Sequence, residues 1–234
     1  MIPWSAPRRL VPQILGALFF SAAGLAAFAH LAEEMGEGDT HAFDNAILMM
    51  LRAQGDPALP LGPRWLVDAA RDITALGSAP VLALVIAAAT VLLAVARYYR
   101  SAVFVAVSAL SGTALTISLK GWFGRPRPEF VAHDLYISGA SFPSGHATMS
   151  AVVYLTLGTL LTRFVEGTGM RIAVLTLAAA LSGLVGMTRI YLGVHWPTDV
   201  LAGWALGSAW ALGCWALAEI IGLHVSDGRR HTNR

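Results

Sequence analysis

A chain of 234 residues in which 56% are hydrophobic and only 13% charged cannot dress a water-facing surface, since ordinary soluble domains carry about 25% charged residues. A mean hydropathy of +0.62 assigns it to a bilayer. The formal net charge is only +2 and no basic run exceeds two residues, so the pI near 9.0 reflects membrane topology and nucleic acid is set aside as a partner.

The first apolar run, residues 10–29, follows Pro7-Arg8-Arg9 and ends in Ala27-Phe28-Ala29, the outline of a signal peptide. Its length exceeds the roughly 7 to 15 residues of a signal core and matches the roughly 20 that cross hydrocarbon, so an uncleaved first transmembrane helix is expected. Glu33, Glu34, Glu37 and Asp39 then open a polar stretch reaching residue 76. Within it, residues 42–51 and 64–76 carry apolar side chains at helical spacing, which predicts short helices on the membrane surface. Pro57, Pro60, Gly62 and Pro63 interrupt the chain between them.

Further apolar runs follow at 79–96, 102–119, 147–161, 172–187 and 200–223. The expectation is an all-α integral membrane protein, a six-transmembrane-helix bundle forming one domain over residues 1–234, with short surface helices in its first extracytoplasmic loop. A helix at a bundle's centre need not meet lipid along its whole length, which accommodates the shorter runs. No internal repeat is visible. The single cysteine, Cys214, falls in the last run and excludes both an intramolecular disulfide and a cysteine metal site.

Orientation follows from the loop cations. Arg8, Arg9, Arg97, Arg100, Arg163, Arg171, Arg229, Arg230 and Arg234 fall on one side, and Arg52, Arg64, Arg71, Lys120, Arg125, Arg127 and Arg189 on the other, with most of the acids. Lys120, Arg125, Arg127 and Arg189 belong to polar clusters treated next. The remaining bias places both termini in the cytoplasm, of a protein expected in the plasma (inner) membrane.

Four polar clusters interrupt the apolar pattern, all on the predicted extracytoplasmic face. Lys120 to Pro128 follow the third span, Pro143-Ser144-Gly145-His146 precede the fourth, Arg189 follows the fifth, and His195 and Asp199 precede the sixth. Each has an ordinary reading. Lys120, Arg125 and Arg127 fit snorkelling anchors, residues 141–144 fit a helix start, and either histidine alone fits an interfacial side chain. Together they are costly to hold near hydrocarbon without a purpose.

Lys120, Arg127 and Arg189 suit a dianion, and the guanidinium fork matches phosphate oxygens. Ser144 and Gly145 at a helix start offer backbone N–H groups and the positive end of a dipole. Two histidines divide acid and base work near neutral pH. Asp199, four residues after His195, is spaced to reach one ring nitrogen and leave the other free to attack, with His146 to protonate a leaving oxygen. No metal-ligand cluster remains, so stabilisation by protein cations and no cofactor is expected.

Lys120-x6-Arg127-Pro128, Pro143-Ser144-Gly145-His146 and Arg189-x5-His195-x3-Asp199 resemble, in order and spacing, the three signature motifs of the type-2 phosphatidic acid phosphatase superfamily, related to vanadium haloperoxidases. The resemblance implies a metal-independent membrane lipid phosphatase with His195 as the nucleophile that forms a phosphohistidine, Asp199 as its orienting partner and His146 as the leaving-group acid. Lys120, Arg127, Ser144, Gly145 and Arg189 would hold the phosphate. It also implies an undecaprenyl diphosphate, phosphatidylglycerophosphate or lipid A type of substrate among the membrane lipids. Thr188 stands where the third motif usually has serine, and Arg125 has no motif role and is expected to be a head-group or anchor residue.

Two other readings remain open at this point. A phosphotransferase would use the same site, and a transporter or non-catalytic lipid-binding protein would carry ionisable groups near the bilayer midplane, whereas here they cluster at span ends. Residues 32–76, with His41, Asp44 and Asp72-Ile73-Thr74, are expected to form part of a lid or head-group wall.

Overall fold

The computed structural model describes residues 11–128 and 139–222. Helix accounts for 77% of the described residues, so the all-α expectation holds in outline. The elements are α1 (Val11–Glu37), α2 (His41–Met50), β1 (Arg52–Ala53), β2 (Asp56–Pro60), α3 (Arg64–Ala75), α4 (Ala79–Val95), α5 (Tyr99–Phe123), α6 (Gly145–Leu161), α7 (Thr168–Tyr191) and α8 (Pro197–Ile220).

Within the described residues every predicted apolar run lies on a helix to within a residue or two of its ends, but several helices outrun their apolar stretch. α1 continues to Glu37, eight residues past Ala29, because His30-Leu31-Ala32-Glu33-Glu34 are adequate helix formers; the predicted loop therefore begins as helix. α5 runs on to Phe123 and closes on Gly124 in a left-handed conformation, φ 60°, so Lys120 sits in a final helical turn. α7 likewise includes Arg189.

Among the described residues four helices, α1, α5, α7 and α8, are long and apolar enough to cross a membrane by themselves, and α3 with α4 makes a fifth if the pair, bent by 44°, is one span. α6, with 17 residues, lies at the short limit for a crossing, about 17 residues. α8 is the central helix: half of its apolar window is buried, against 11% for α1. Lipid tails are as apolar as leucine, so close packing and interhelical hydrogen bonds hold such helices together. Gly203 and Gly207 meet that demand on α8, facing Ala147, Thr148 and Ala151 of α6. On its other sides α8 sets Trp204 against Gly186 of α7 and Ala205 and Ala209 against Gly24 of α1. Ser21 of α1 donates to the Ala209 carbonyl at 2.8 Å.

The 32–76 region is more ordered than a loop with surface helices. β1 and β2 pair antiparallel, Arg52 opposite Pro60 and Ala53 opposite Asp56, where the prolines had predicted only a break; on a two-stranded ladder a proline lacks a ladder partner on its outer edge. α2 buries Asp44 and Leu48 completely. α3 sets Val67 and Ala70 against Tyr191, Leu192 and Val194, with Trp65 exposed. Leu10 and Leu223, the terminal residues of the first and sixth predicted spans, together with Arg8, Arg9, Arg229, Arg230 and Arg234 of the charge-bias argument, lie outside the described residues.

Candidate active site

At one end of the bundle four helix ends and two loops converge. Lys120 comes from the last turn of α5, Arg125 and Arg127 from the segment beyond it, and Ser141 and Ser144 from the loop entering α6. Arg189 closes α7, His195 lies in the α7–α8 turn, and Asp199 in the first turn of α8. The α7–α8 turn is held from outside. The Arg52 guanidinium donates to the Ile190 and Tyr191 carbonyls at 3.1 and 2.7 Å, satisfying acceptors that a helix C-terminus leaves free. Gly193 must be glycine there, since its φ is 73° and a Cβ would stand 3.0 Å from that guanidinium.

Pro197 opens α8, as its fixed φ suits a first helical position. Asp199 then reaches back, Oδ2 accepting from the Trp196 N–H at 3.0 Å and facing His195 Nδ1 at 3.3 Å. The opposite ring nitrogen, Nε2, lies 3.1 Å from Arg127 Nη1. Arginine can only donate, so Nε2 is the acceptor and the ring proton resides on Nδ1, toward Asp199. His195 is 1% exposed, and burial, the largest influence, pushes its pKa down to about 4 against the opposing pull of Asp199. A neutral imidazole results, its unprotonated Nε2 accepting from Arg127.

Three cations, Lys120, Arg127 and Arg189, lie within electrostatic reach of one another here. Arg127 also donates to the Val194 and Gly139 carbonyls at 2.8 and 3.1 Å, and Lys120 Nζ to the Ala140 carbonyl at 2.7 Å. Arg189, 6% exposed, donates to Thr74 Oγ1 at 3.2 Å and keeps a buried Nε without a protein partner. Ser144 is the N-cap residue of α6, yet its side chain makes no capping bond and its Oγ is buried without a partner. The first N–H groups of α6, those of Gly145 and His146 among them, lack intrahelical partners as at any helix start. Lys120 Cε lies 3.4 Å from where a Cβ on Gly145 would stand, so the absent side chain lets the cation cross the helix start. His146 is within electrostatic reach of Arg189, His195, Arg127 and Lys120 and rests against Gly77 at the α3–α4 junction.

All eight residues singled out by sequence, Lys120, Arg127, Ser144, Gly145, His146, Arg189, His195 and Asp199, are therefore at this end of the bundle. Arg125 corrects an expectation: it is no head-group anchor but is 6% exposed, with Nη1 donating to Asp199 Oδ1 and Nη2 to Asp44 Oδ2, both at 2.7 Å. Of the loop residues flagged, Asp44 and Thr74 reach the site and His41 is exposed. Ser141 was read only as part of a helix start; it is fully buried, hydrogen-bonds Asp199 Oδ2 and stands 3.3 Å from His195 Nδ1. No periodicity signals such a partner. The Thr188 hydroxyl turns to the Val185 carbonyl at 2.7 Å, a bond within its own helix. Among the described residues no group of three or more His, Cys, Asp or Glu is placed to hold a metal ion.

The PAP2 superfamily model matches residues 100–221, just over half of the chain and all eight positions. Phosphatidylglycerophosphatase B of Bacillus subtilis is 41% identical over 90 residues, 38% of this chain and 44% of that protein. Undecaprenyl-diphosphatase of Sulfolobus acidocaldarius is 41% identical over 68 residues, 29% of each chain. The chain thus aligns with less than half the length of these curated relatives. A crystal structure of a transmembrane PAP2 type phosphatidylglycerolphosphate phosphatase from Bacillus subtilis superposes with a TM-score of 0.75 at 26% identity, covering 86% of this chain and 96% of that one.

Proposed function

Since the chain belongs to the PAP2 superfamily, we propose that it is an integral membrane lipid phosphatase that cleaves a phosphomonoester or terminal diphosphate through a phosphohistidine on His195. The observation that carries this reading is the His195 ring, its Nδ1 facing Asp199 and its Nε2 3.1 Å from Arg127, a cation within electrostatic reach of Lys120 and Arg189. Nε2 attacks phosphorus, and the developing charge on the equatorial oxygens is met by Lys120, Arg127, Arg189, the Ser144 hydroxyl and the first N–H groups of α6. The leaving oxygen takes a proton from His146, which burial and the neighbouring cations hold neutral in the free protein, with a pKa of about 3, and which gains its proton only once the phosphate dianion offsets those cations. Water then attacks the phosphohistidine, releasing phosphate and restoring the ring. Protein cations do the electrostatic work in this scheme, and no metal is required.

The substrate class is a lipid phosphate presented laterally, of the phosphatidylglycerophosphate, undecaprenyl diphosphate or lipid A type, in keeping with relatives named for the first two and for lipid A 1-phosphatase activity. The same reading makes residues 1–234 one domain with six crossings, counting α4 and the short α6, with α2 and α3 at the outer surface. The site then faces away from the cytoplasm and both termini lie within it. The test is phosphate release by purified protein in detergent with excess chelator, across those three lipids. Release should survive the chelator and fall by roughly 10³-fold or more in His195→Ala. Failure on the whole panel, or full activity in that variant, contradicts the reading.

A further inference from the structure

The most heavily committed side chain near the site is one the phosphate does not use. Arg125 spends Nη1 on Asp199 Oδ1 and on Thr198 Oγ1, at 2.7 and 2.9 Å, and Nη2 on Asp44 Oδ2 and Thr40 Oγ1, at 2.7 and 3.2 Å. Asp44, from α2, is fully buried and grips the start of α8 a second time. Its Oδ1 accepts the Thr198 N–H at 2.9 Å and its Oδ2 the Thr198 hydroxyl at 2.7 Å. One guanidinium thus bridges two buried carboxylates, one of which orients the nucleophile.

Stability alone is a weak account of this arrangement, because buried ion pairs are often no more stabilising than apolar side chains of the same shape. What the bridge does is hold Asp199. Oδ1 is fixed by Arg125, leaving Oδ2 for Ser141, the Trp196 N–H and His195. It also takes up part of the Asp199 charge, so the carboxylate orients the imidazole without making it strongly basic.

We propose that Arg125 and Asp44 are positioning residues for the reaction assigned to His195, with α2 serving as the outer support of the His195–Asp199 pair. The proposal rests on the phosphatase reading above. Arg125 has both terminal nitrogens engaged by protein acceptors and so is not offered to substrate, and its loss should act on the chemical step through Asp199. The other charged and titratable groups facing the imidazole are Asp199 from α8, Arg127 beyond α5, Arg189 from α7, His146 from α6 and, across the site, Lys120 from α5; all stay unchanged in the variants below.

The two members carry opposite charge, which separates positioning by charge from simple loss of structure. Arg125→Gln leaves Asp199 uncompensated and should move the titration of His195 upward. Asp44→Asn leaves Arg125 with one carboxylate and should leave that titration at or below its wild-type position. Both should lower kcat by about 10- to 100-fold, the range seen when partners of an oriented histidine are removed, with KM for the lipid phosphate within about twofold. Ring-¹⁵N histidine spectra of the full chain in micelles report the titration, with the His195 signal identified by its loss in His195→Gln. This readout needs no turnover, so an inactive wild-type protein overturns the phosphatase reading while the spectra still judge the bridge. A His195 titration that does not rise in Arg125→Gln, or that rises in Asp44→Asn, overturns the proposal. Should Arg125→Gln fail to fold, Asp44→Asn decides: a raised His195 titration, unchanged kcat, or a KM rise with kcat held refutes it.

Discussion

The proposed chemistry needs His195 unprotonated at neutral pH, and the burial of its ring supplies this. Removing a ring from water penalises its cation, and for a nucleophile the neutral form is the useful one. With a pKa of about 4, the imidazole is mostly neutral above that pH and mostly protonated, its lone pair lost, below it. The acid limb of kcat/KM, once divided by the fraction of substrate in its reactive ionisation state, should therefore fall near pH 4; a residual limb near the ordinary 6.5 would contradict the buried, neutral nucleophile. At this scale the sequence was most legible for residues whose spacing is local. His195 and Asp199 are four apart, so a helical start brings them together wherever the rest of the chain goes. Arg125 was not legible, because its role depends on Asp44, 81 residues away, and on the Asp199 oxygen that local spacing leaves unused.

The elements owe their positions to small residues. Gly203 and Gly207 lie one turn apart on α8, and a Cβ on Gly207 would press into the Thr148 carbonyl and lie 2.7 Å from Ala151 Cβ. Backbone cannot move aside as a flexible side chain can. Gly207→Val should accordingly push α6 from α8 and cost about 1–3 kcal/mol, lowering the thermal midpoint in detergent. Activity should fall with it, since α6 carries Ser144, Gly145 and His146 into the site. An unchanged midpoint would show that the two helices are not packed as described. Apolar length located these helices but not their ends. α5 and α7 run beyond their apolar stretches because a polar residue ends the hydropathy signal without ending the hydrogen-bond ladder, and in both cases the overrun carries a site cation, Lys120 or Arg189.

For the whole molecule, the convergence of site residues at one end ties mechanism to topology. In a Cys214→Ser background, a cysteine placed at Glu37 or Gly55 should react with a membrane-impermeant maleimide on intact cells. One placed at Arg97 or Glu166 should react only after permeabilisation, and the reverse pattern would overturn the proposed orientation. The sequence by itself determined that this is a membrane protein and where its apolar helices run, because composition and hydropathy are properties of the chain read locally, and its motifs singled out eight residues that the fold brings to one end of the bundle. Only the tertiary structure decided that α2 is docked and not free on the surface, that Arg125 bridges Asp44 and Asp199, and that Ser141 shares the Asp199 carboxylate. Each of those depends on which buried charge meets which partner across a long sequence separation. Burial makes such pairing obligatory, but nothing in the chain read residue by residue says where the partner will be.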